Sequence, residues 1–336
     1  MNSDYVEREK IYTGPLSIVY KAKDARNGKI VALKVVDVDF LVKPHNIKRE
    51  IEFLKLQGQV GGEKFGILQY INSYKFGDDD ILVTEYYDID LNSLLVSHKK
   101  RSVKYDWSNP EQNKYVFKNQ FPTDLATFIF YKLSLTLKYL HDECQIIHRD
   151  IKPSNVFFKQ NREGEVYEPV LGDFGILYDK KCPPPDEPPN EKYTDVSTGC
   201  YKAPELCFGT TDYDTAIDIW SLGVLVSRMY SNDGFECVKN DSGSDLGLIH
   251  SIFSQFGTPN LESIDEKKDK RYWPEMKGNQ QFEMFNFNIN ERRSPSELIP
   301  RCPNNEISVL WDDLMVYQSS ERPSARDIVR RIESIQ

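Results

Sequence analysis

The stretch His148-Arg149-Asp150-Ile151-Lys152-Pro153-Ser154-Asn155 lies between two apolar runs, Ile146-Ile147 and Val156-Phe157-Phe158. Packing does not call for Asp, Lys and Asn at this spacing. In a loop between short strands they can converge on one hydroxyl and one phosphate: a carboxylate to accept a proton, an ammonium to meet developing charge, and an amide oxygen for Mg²⁺. Asp173-Phe174-Gly175 follows 18 residues after Asn155 and adds a second carboxylate where a strand runs out into a loop. Two oxygen ligands then face one metal.

The elements that must position these groups are legible in the pattern. Ser17 to Ala22 and Ile30 to Val36 read as a β-hairpin turning through Arg26-Asn27-Gly28-Lys29. Pro44-His45-Asn46 opens a helix expected to run to about Gln57, with Gly58 and Gly61-Gly62 closing it. Its apolar stripe is Ile47, Ile51 and Leu54, and at 100° per residue Glu50 shares that stripe while Glu52 points away. Glu50 therefore needs a buried cationic partner. Apolar runs at Ile67 to Tyr74 and Ile81 to Tyr87 complete a sheet of about five strands.

Beyond Leu91 the pattern is helical. Thr123 to His141 buries Ile129, Leu133, Leu137 and Leu140, and Asp214 to Tyr230 is apolar nearly all round, as a central buried helix would be. Lys99 to Gln120 is polar and mixed in charge, which reads as a surface insertion. Cys182 to Pro189 holds five prolines and reads as a stiff spacer loop, with a partner-docking segment as the other reading. Sheet first and helices after predicts an α+β protein of two lobes, divided near Tyr86 to Ile89.

Composition sets outer limits. The 336 residues are 39% hydrophobic and carry 43 basic against 52 acidic side chains, a net charge of −9, which disfavours general capture of nucleic acid or acidic lipid. Six cysteines include no C-x-x-C pair, so reduced thiols are expected, and neither terminus shows a secretory, lipidation or retention signal. An intracellular protein, in cytoplasm or nucleus, is the expectation.

With these residues in place the chain resembles a eukaryotic protein kinase over nearly its whole length, from about Tyr5 to Ile335. Five fixed positions of H-R-D-x-K-x-x-N arise by chance with a probability of about 3 × 10⁻⁷ per start, or ~10⁻⁴ over the chain. The remaining landmarks stand in family order: Val31-Ala32-Leu33-Lys34, Glu50, Ala203-Pro204-Glu205, Asp218 to Gly223, and Arg322. Taken singly, Lys34 with Glu50 also suits an ordinary salt bridge and Asp173 a turn. The joint order is what carries the resemblance.

That resemblance implies one domain from 5 to 335, with an antiparallel-sheet N-lobe at 5–86 and a mainly helical C-lobe at 87–335. It also implies ATP and Mg²⁺ as cofactors. Lys34 would hold phosphates and pair with Glu50; Asp150 would accept the substrate proton; Lys152 would neutralise the transferring phosphoryl; Asn155 and Asp173 would bind Mg²⁺. Val19, Ala32 and Phe157 would sandwich the adenine, Glu85 and Tyr87 would meet its edge, Thr84 would back the pocket, and Ile11 and Gly14 would join the same site. His148 and Phe174 would pack, Asp218 would anchor the catalytic loop, and Glu205 with Arg322 would form a buried ion pair.

Lys152 matches the serine/threonine kinases. Lys48 to Ile51, Tyr201 to Gly209 and Phe256-Gly257-Thr258-Pro259 resemble the cyclin-dependent and MAP kinase group. Pro44-His45-Asn46, Asp195 to Glu205 and Gly243-Ser244-Asp245 are similar to the monomeric cyclin-dependent-kinase-activating kinases of budding-yeast-type fungi. The implied substrate is the activation-loop threonine of a cyclin-dependent kinase, with the enzyme acting as a monomer. Thr198 would contact Asp150 and Lys152. Arg149 is where relatives dock an activation-loop phosphate, and Tyr193 and Thr194 are candidate phosphosites. One departure stands out: of three glycines in the family's phosphate loop only Gly14 remains, with Tyr12 and Ser17 at the other two positions and Pro15 at the tip. A weaker phosphate grip follows, and with it the alternative of a pseudokinase scaffold, beside that of another kinase of the same group.

Overall fold

A computed structural model describes residues 4–37, 42–104, 114–262 and 269–335. In chain order the elements used below are β1 (Tyr5–Thr13), β2 (Ile18–Asp24), β3 (Ile30–Asp37), α1 (Ile47–Val60), β4 (Tyr70–Phe76), β5 (Asp79–Glu85), β6 (Ile89–Asp90), α2 (Leu91–Ser97), β7 (Lys99–Lys104), β8 (Lys114–Asn119), α3 (Thr123–Lys138), β9 (Ile146–Ile147), β10 (Val156–Phe158), β11 (Val170–Leu171), β12 (Tyr178–Asp179), α4 (Pro204–Cys207), α5 (Ala216–Tyr230) and α6 (Asp245–Phe256). They fall into two compact units, residues 1–91 with 154–177, and residues 92–153 with 178–336. The division is therefore not one cut near residue 86. The chain returns to the first unit because β10 pairs with β6 and with β11, and Leu68 donates to the Leu171 carbonyl at 2.9 Å.

The first unit is built on an antiparallel sheet in the order β1-β2-β3-β5-β4. Period-two alternation decides its faces. Tyr5, Ala22, Val31, Leu33, Ile81 and Val83 make one buried cluster. In register, Val19 lies across from Lys34, and Ala32 across from Thr84, so these four share the opposite face.

Helix α1 starts where the Asn46 side chain accepts from the N–H groups of Lys48 and Arg49, a capping arrangement that satisfies orphan donors of the first turn. It ends three residues later than expected. Gly58 continues the helix, and Gly61, at φ 78°, provides the left-handed residue that closes it. The buried side is Ile47, Glu50, Phe53, Leu54 and Gln57; Phe53 takes the place expected of Ile51, which is half-buried, while Glu52 is exposed.

The second unit centres on α5, in which every residue from Ile217 to Tyr230 is buried. Trp311 Nε1 donates to the Gly223 carbonyl at 2.8 Å, tying a later helix to it. Helix α3 buries Ile129, Leu133 and Leu137 as expected but yields at Tyr139 to a wider turn that ends at Gln145, φ 62°. The polar insertion is an ordered hairpin of β7 and β8, registered from Lys99↔Asn119 to Lys104↔Lys114; residues 105–113 at its tip lie outside the described residues. Its base is fixed by Asn119, whose side-chain amide donates to the carbonyls of Met229 and Ser231 at 3.0 and 2.8 Å, and by Lys99, 3.3 Å over the Phe235 ring. Long cationic side chains lying on aromatic rings explain how so polar a sequence is ordered. All six cysteines are free, and burial pushes the Cys200 and Cys237 thiols up to about 12. Among the described residues no helix is long and apolar enough to cross a membrane.

Glu205, at the start of α4, meets Arg322 in a fully buried fork: Nη1 to Oε1 at 2.6 Å and Nη2 to Oε2 at 2.8 Å. Arg322 also donates to the carbonyls of Val316, Ala216 and Tyr317. Glu205→Ala leaves that guanidinium buried without its counter-charge, so urea unfolding should show a loss of about 3–5 kcal/mol. Replacing both partners by Leu and Met should recover most of it.

Candidate functional site

In the first unit, β3 carries Lys34 and α1 carries Glu50. Lys34 Nζ donates to both Glu50 oxygens, at 3.0 and 2.8 Å, and to Asp173 Oδ1 at 2.7 Å. Glu50 is 1% exposed, and Lys34 is the cation its place on the helix requires. Burial works against the ammonium, but the Asp173 and Glu50 carboxylates outweigh it and hold its pKa above the ordinary lysine value. Burial also pushes the Glu50 carboxyl up, with Lys34 pulling the other way. Phe174 is buried, 4.7 Å from the Phe53 ring, and its N–H donates to Glu50 Oε1 at 3.2 Å. Asp173 itself sits at φ 59°.

Asn155 and Asp173 are brought together by main chain. The Gly172 N–H, next to Asp173, donates to the Asn155 carbonyl at 2.9 Å, which joins the two stretches of main chain that carry the amide and the carboxylate. Gly172 is required there, since a Cβ would stand 2.9 Å from the Phe157 ring. An amide oxygen and a carboxylate are hard donors that suit Mg²⁺. Val19, Ala32 and Thr84 share the Lys34 face of the sheet, and the Phe157 and Tyr87 rings lie 6.3 Å apart. The Glu85 N–H is engaged by the Gln69 carbonyl at 3.0 Å, and its own carbonyl receives the Thr84 hydroxyl at 3.3 Å.

The loop joining β1 to β2 closes on itself. The Gly14 N–H, the amide that glycine would free for a phosphate, donates to the Ser17 carbonyl at 2.9 Å, while Ile11 and Tyr12 are exposed at 47% and 56%. The side chains of Tyr12 and Ser17 take no part in that bond, which is main chain to main chain.

In the second unit, Asp218 of α5 accepts from the His148 N–H at 2.8 Å and the Arg149 N–H at 2.9 Å, and His141 Nε2 lies 2.9 Å from its Oδ2. His148 is fully buried, and its Nδ1 accepts the Asp150 N–H at 3.2 Å. Asp150 is thereby presented with Lys152 Nζ at 2.7 Å from Oδ2 and the Thr198 hydroxyl donating to Oδ1 at 2.7 Å; Lys152 also donates to Thr198 Oγ1 at 2.8 Å. Carboxylate, ammonium and hydroxyl form a closed triangle. Ser197 pins its other side, donating to the Arg149 carbonyl at 2.7 Å.

The proline-rich segment is more than a spacer. Its Glu187 is buried and forks onto Arg149, with Nη2 to Oε2 at 3.1 Å and Nη1 on Oε1. Tyr193 contributes its main-chain N–H to Glu187 Oε1 at 3.0 Å, and its hydroxyl is directed to Asp186 at 3.4 Å. Glu187 is a buried partner of Arg149 that the sequence reading missed. The available signal was an acidic pair between prolines, in the loop between Asp173 and Glu205, opposite an arginine that burial would leave needing an anion.

Burial pushes the Asp218 carboxyl up, but His141 and the N–H donors outweigh it and hold it below the ordinary carboxylate range. A depressed folded value means stability present above the unfolded value of about 4 and lost as pH falls through the folded one. Asp218→Asn should therefore be less stable by about 2–3 kcal/mol in urea at pH 7. That gap should hold down to about pH 4 and close below it.

Comparison with known proteins gives the family. The protein kinase domain family matches residues 5–331. The serine/threonine-protein kinase CAK1 of Saccharomyces cerevisiae is 31% identical over 265 residues, covering 70% of each chain. Cyclin-dependent kinase D-1 of Arabidopsis thaliana is 26% identical, over 81% of this chain and 57% of its own length, and cyclin-dependent kinase B2-1 of the same plant is 27% identical over 95% and 89%. In fold, the crystal structure of the yeast RNA polymerase II CTD kinase CTDK-1 complex contains a chain similar at a TM-score of 0.71 and 24% identity, covering 98% of this chain and 92% of that one. The chain belongs to the protein kinase family, with its antiparallel-sheet and helical parts, and is a serine/threonine protein kinase of the group that includes CAK1 and the cyclin-dependent kinases.

Proposed function

We propose that this kinase phosphorylates the activation-loop threonine of cyclin-dependent kinases, using ATP with Mg²⁺, and that it does so as a single subunit inside the cell, in cytoplasm or nucleus. The observation that carries the reading is the Asp150–Lys152–Thr198 triangle, complete within one chain. The similarity to CAK1 supports the group, and the resemblance of Asp195 to Glu205 to the activating kinases supports the substrate.

The chain's own residues supply positioning and charge. A substrate hydroxyl would take over from Thr198 as donor to Asp150, which would accept its proton as the oxygen attacks the γ-phosphorus of ATP and the bond from that phosphorus to the bridging oxygen breaks, leaving ADP. Lys152, which donates to Asp150 and Thr198, would offset charge on the transferring group. Lys34, kept charged by two carboxylates, would be the phosphate cation, and Asn155 with Asp173 would hold Mg²⁺, whose charge would offset that of the phosphate oxygens when bound.

Incubation with Mg·ATP and a folded cyclin-dependent kinase should place one phosphate on its loop threonine, read by mass spectrometry, and Asp150→Asn should lower kcat by roughly 10²–10⁴. Stronger phosphorylation of a proline-directed peptide than of the folded kinase would point instead to another enzyme of the group. A melting temperature unmoved by millimolar Mg·ATP would point to a scaffold.

The closed β1–β2 loop generates its own test. Tyr12→Gly with Ser17→Gly should lower KM for ATP roughly fivefold, the worth of about one recovered hydrogen bond, with kcat little changed.

A further inference from the structure

Arg149 immediately precedes the residue proposed as catalytic base, stands at φ 71°, and has a side chain with no solvent exposure. A buried guanidinium is tolerated only with an anion and filled donors. Both are present: Glu187 occupies two of its nitrogens, and the Tyr213 hydroxyl lies 3.1 Å from Nη1. The same Tyr213 hydroxyl donates to the Tyr193 carbonyl at 2.6 Å, and Glu187 takes the Tyr193 N–H. Lys192 next door is buried over the Tyr178 and Tyr213 rings and donates to the Pro189 carbonyl. The loop from Pro184 to Thr198 is thus tied down at both ends, on Arg149 through Glu187 and on Asp150 through Thr198.

We infer that Glu187 is a positioning residue: a built-in anion that fixes Arg149 and, through its main chain, sets Asp150 and Thr198, so that the loop reaches its working form with no added phosphate. The prolines are part of the device. Turns bring the Glu187 N–H to the Pro184 carbonyl at 3.0 Å and the Glu191 N–H to the Pro188 carbonyl at 2.9 Å, and restricted φ at the five prolines between 183 and 189 lowers the entropy lost in presenting the carboxylate. Arg149 then faces a permanent charge, so its occupancy does not depend on a second enzyme.

This inference rests on the phosphoryl-transfer reading above, and its tests separate the two. In the full-length enzyme Glu187→Gln should lower kcat about 100-fold, as displacement of a catalytic group does, with KM for ATP near the wild-type value. Glu187→Asp should restore part of the loss. Wild-type kcat in Glu187→Gln would overturn the inference. Should Glu187→Gln not fold, Arg149→Met with Glu187→Leu, which buries no charge, is expected to fold and show the same loss; undiminished kcat would again overturn it. Hydrogen exchange gives a readout that needs no activity: amides from 187 to 198 should exchange faster in Glu187→Gln, and unchanged protection would sink the idea even if no substrate were known. Phosphatase-treated wild-type enzyme should keep its kcat, and a collapse on treatment would place the required anion on a modified side chain instead.

Discussion

The Asp218 carboxylate, on a helix buried on every side, takes two consecutive main-chain N–H groups from His148 and Arg149 and the imidazole of His141. An ionised group this deep is stable only when its lone pairs are filled. Filling them fixes the chain at the two residues before Asp150. The direction of the Asp150 side chain, the triangle with Lys152 and Thr198, and the left-handed backbone at Arg149 all follow from that anchor. The central helix has to be rigid for this purpose, which is what burial of Ile217 to Tyr230 provides.

Charge placement in the other unit obeys the same rule with a different outcome. Lys34 is shared between a buried glutamate and Asp173, so the ammonium is always matched and always available. Phe174 packs on Phe53 and lends its N–H to Glu50, which couples the orientation of the Asp173-Phe174-Gly175 turn to helix α1. A net charge of −9 is no obstacle to handling a polyphosphate, since local cations and oxygen donors decide the matter.

The fold and most of the candidate site were legible because they rest on short-range signals. Hydrophobic period identified the sheet, α1, α3 and α5, and the buried place of Glu50 on its helix already demanded Lys34. What escaped depended on geometry over a longer range. Gly58 and Gly61 are equal as helix breakers in a sequence, and only backbone conformation shows which one turns left-handed. Ile51 and Phe53 are both apolar, and Phe53 is buried because Phe174 comes to meet it. The polar hairpin at 99–119 has no aliphatic stripe to announce it, since its order comes from Asn119 on helix carbonyls and Lys99 on an aromatic ring.

The amino-acid sequence by itself determined the chemistry: which carboxylates, ammonium groups and amide are present, in what order, and that a glycine-poor phosphate loop departs from the family pattern. Those are properties of residue type and spacing. Tertiary structure alone decided that residues 154–177 rejoin the first unit, that the Gly14 amide is spent on Ser17, and that the anion on Arg149 is Glu187, 38 residues away. The physical reason is that a buried charge selects its partner by proximity after folding, and a proline-rich loop carries no periodicity from which that proximity can be read.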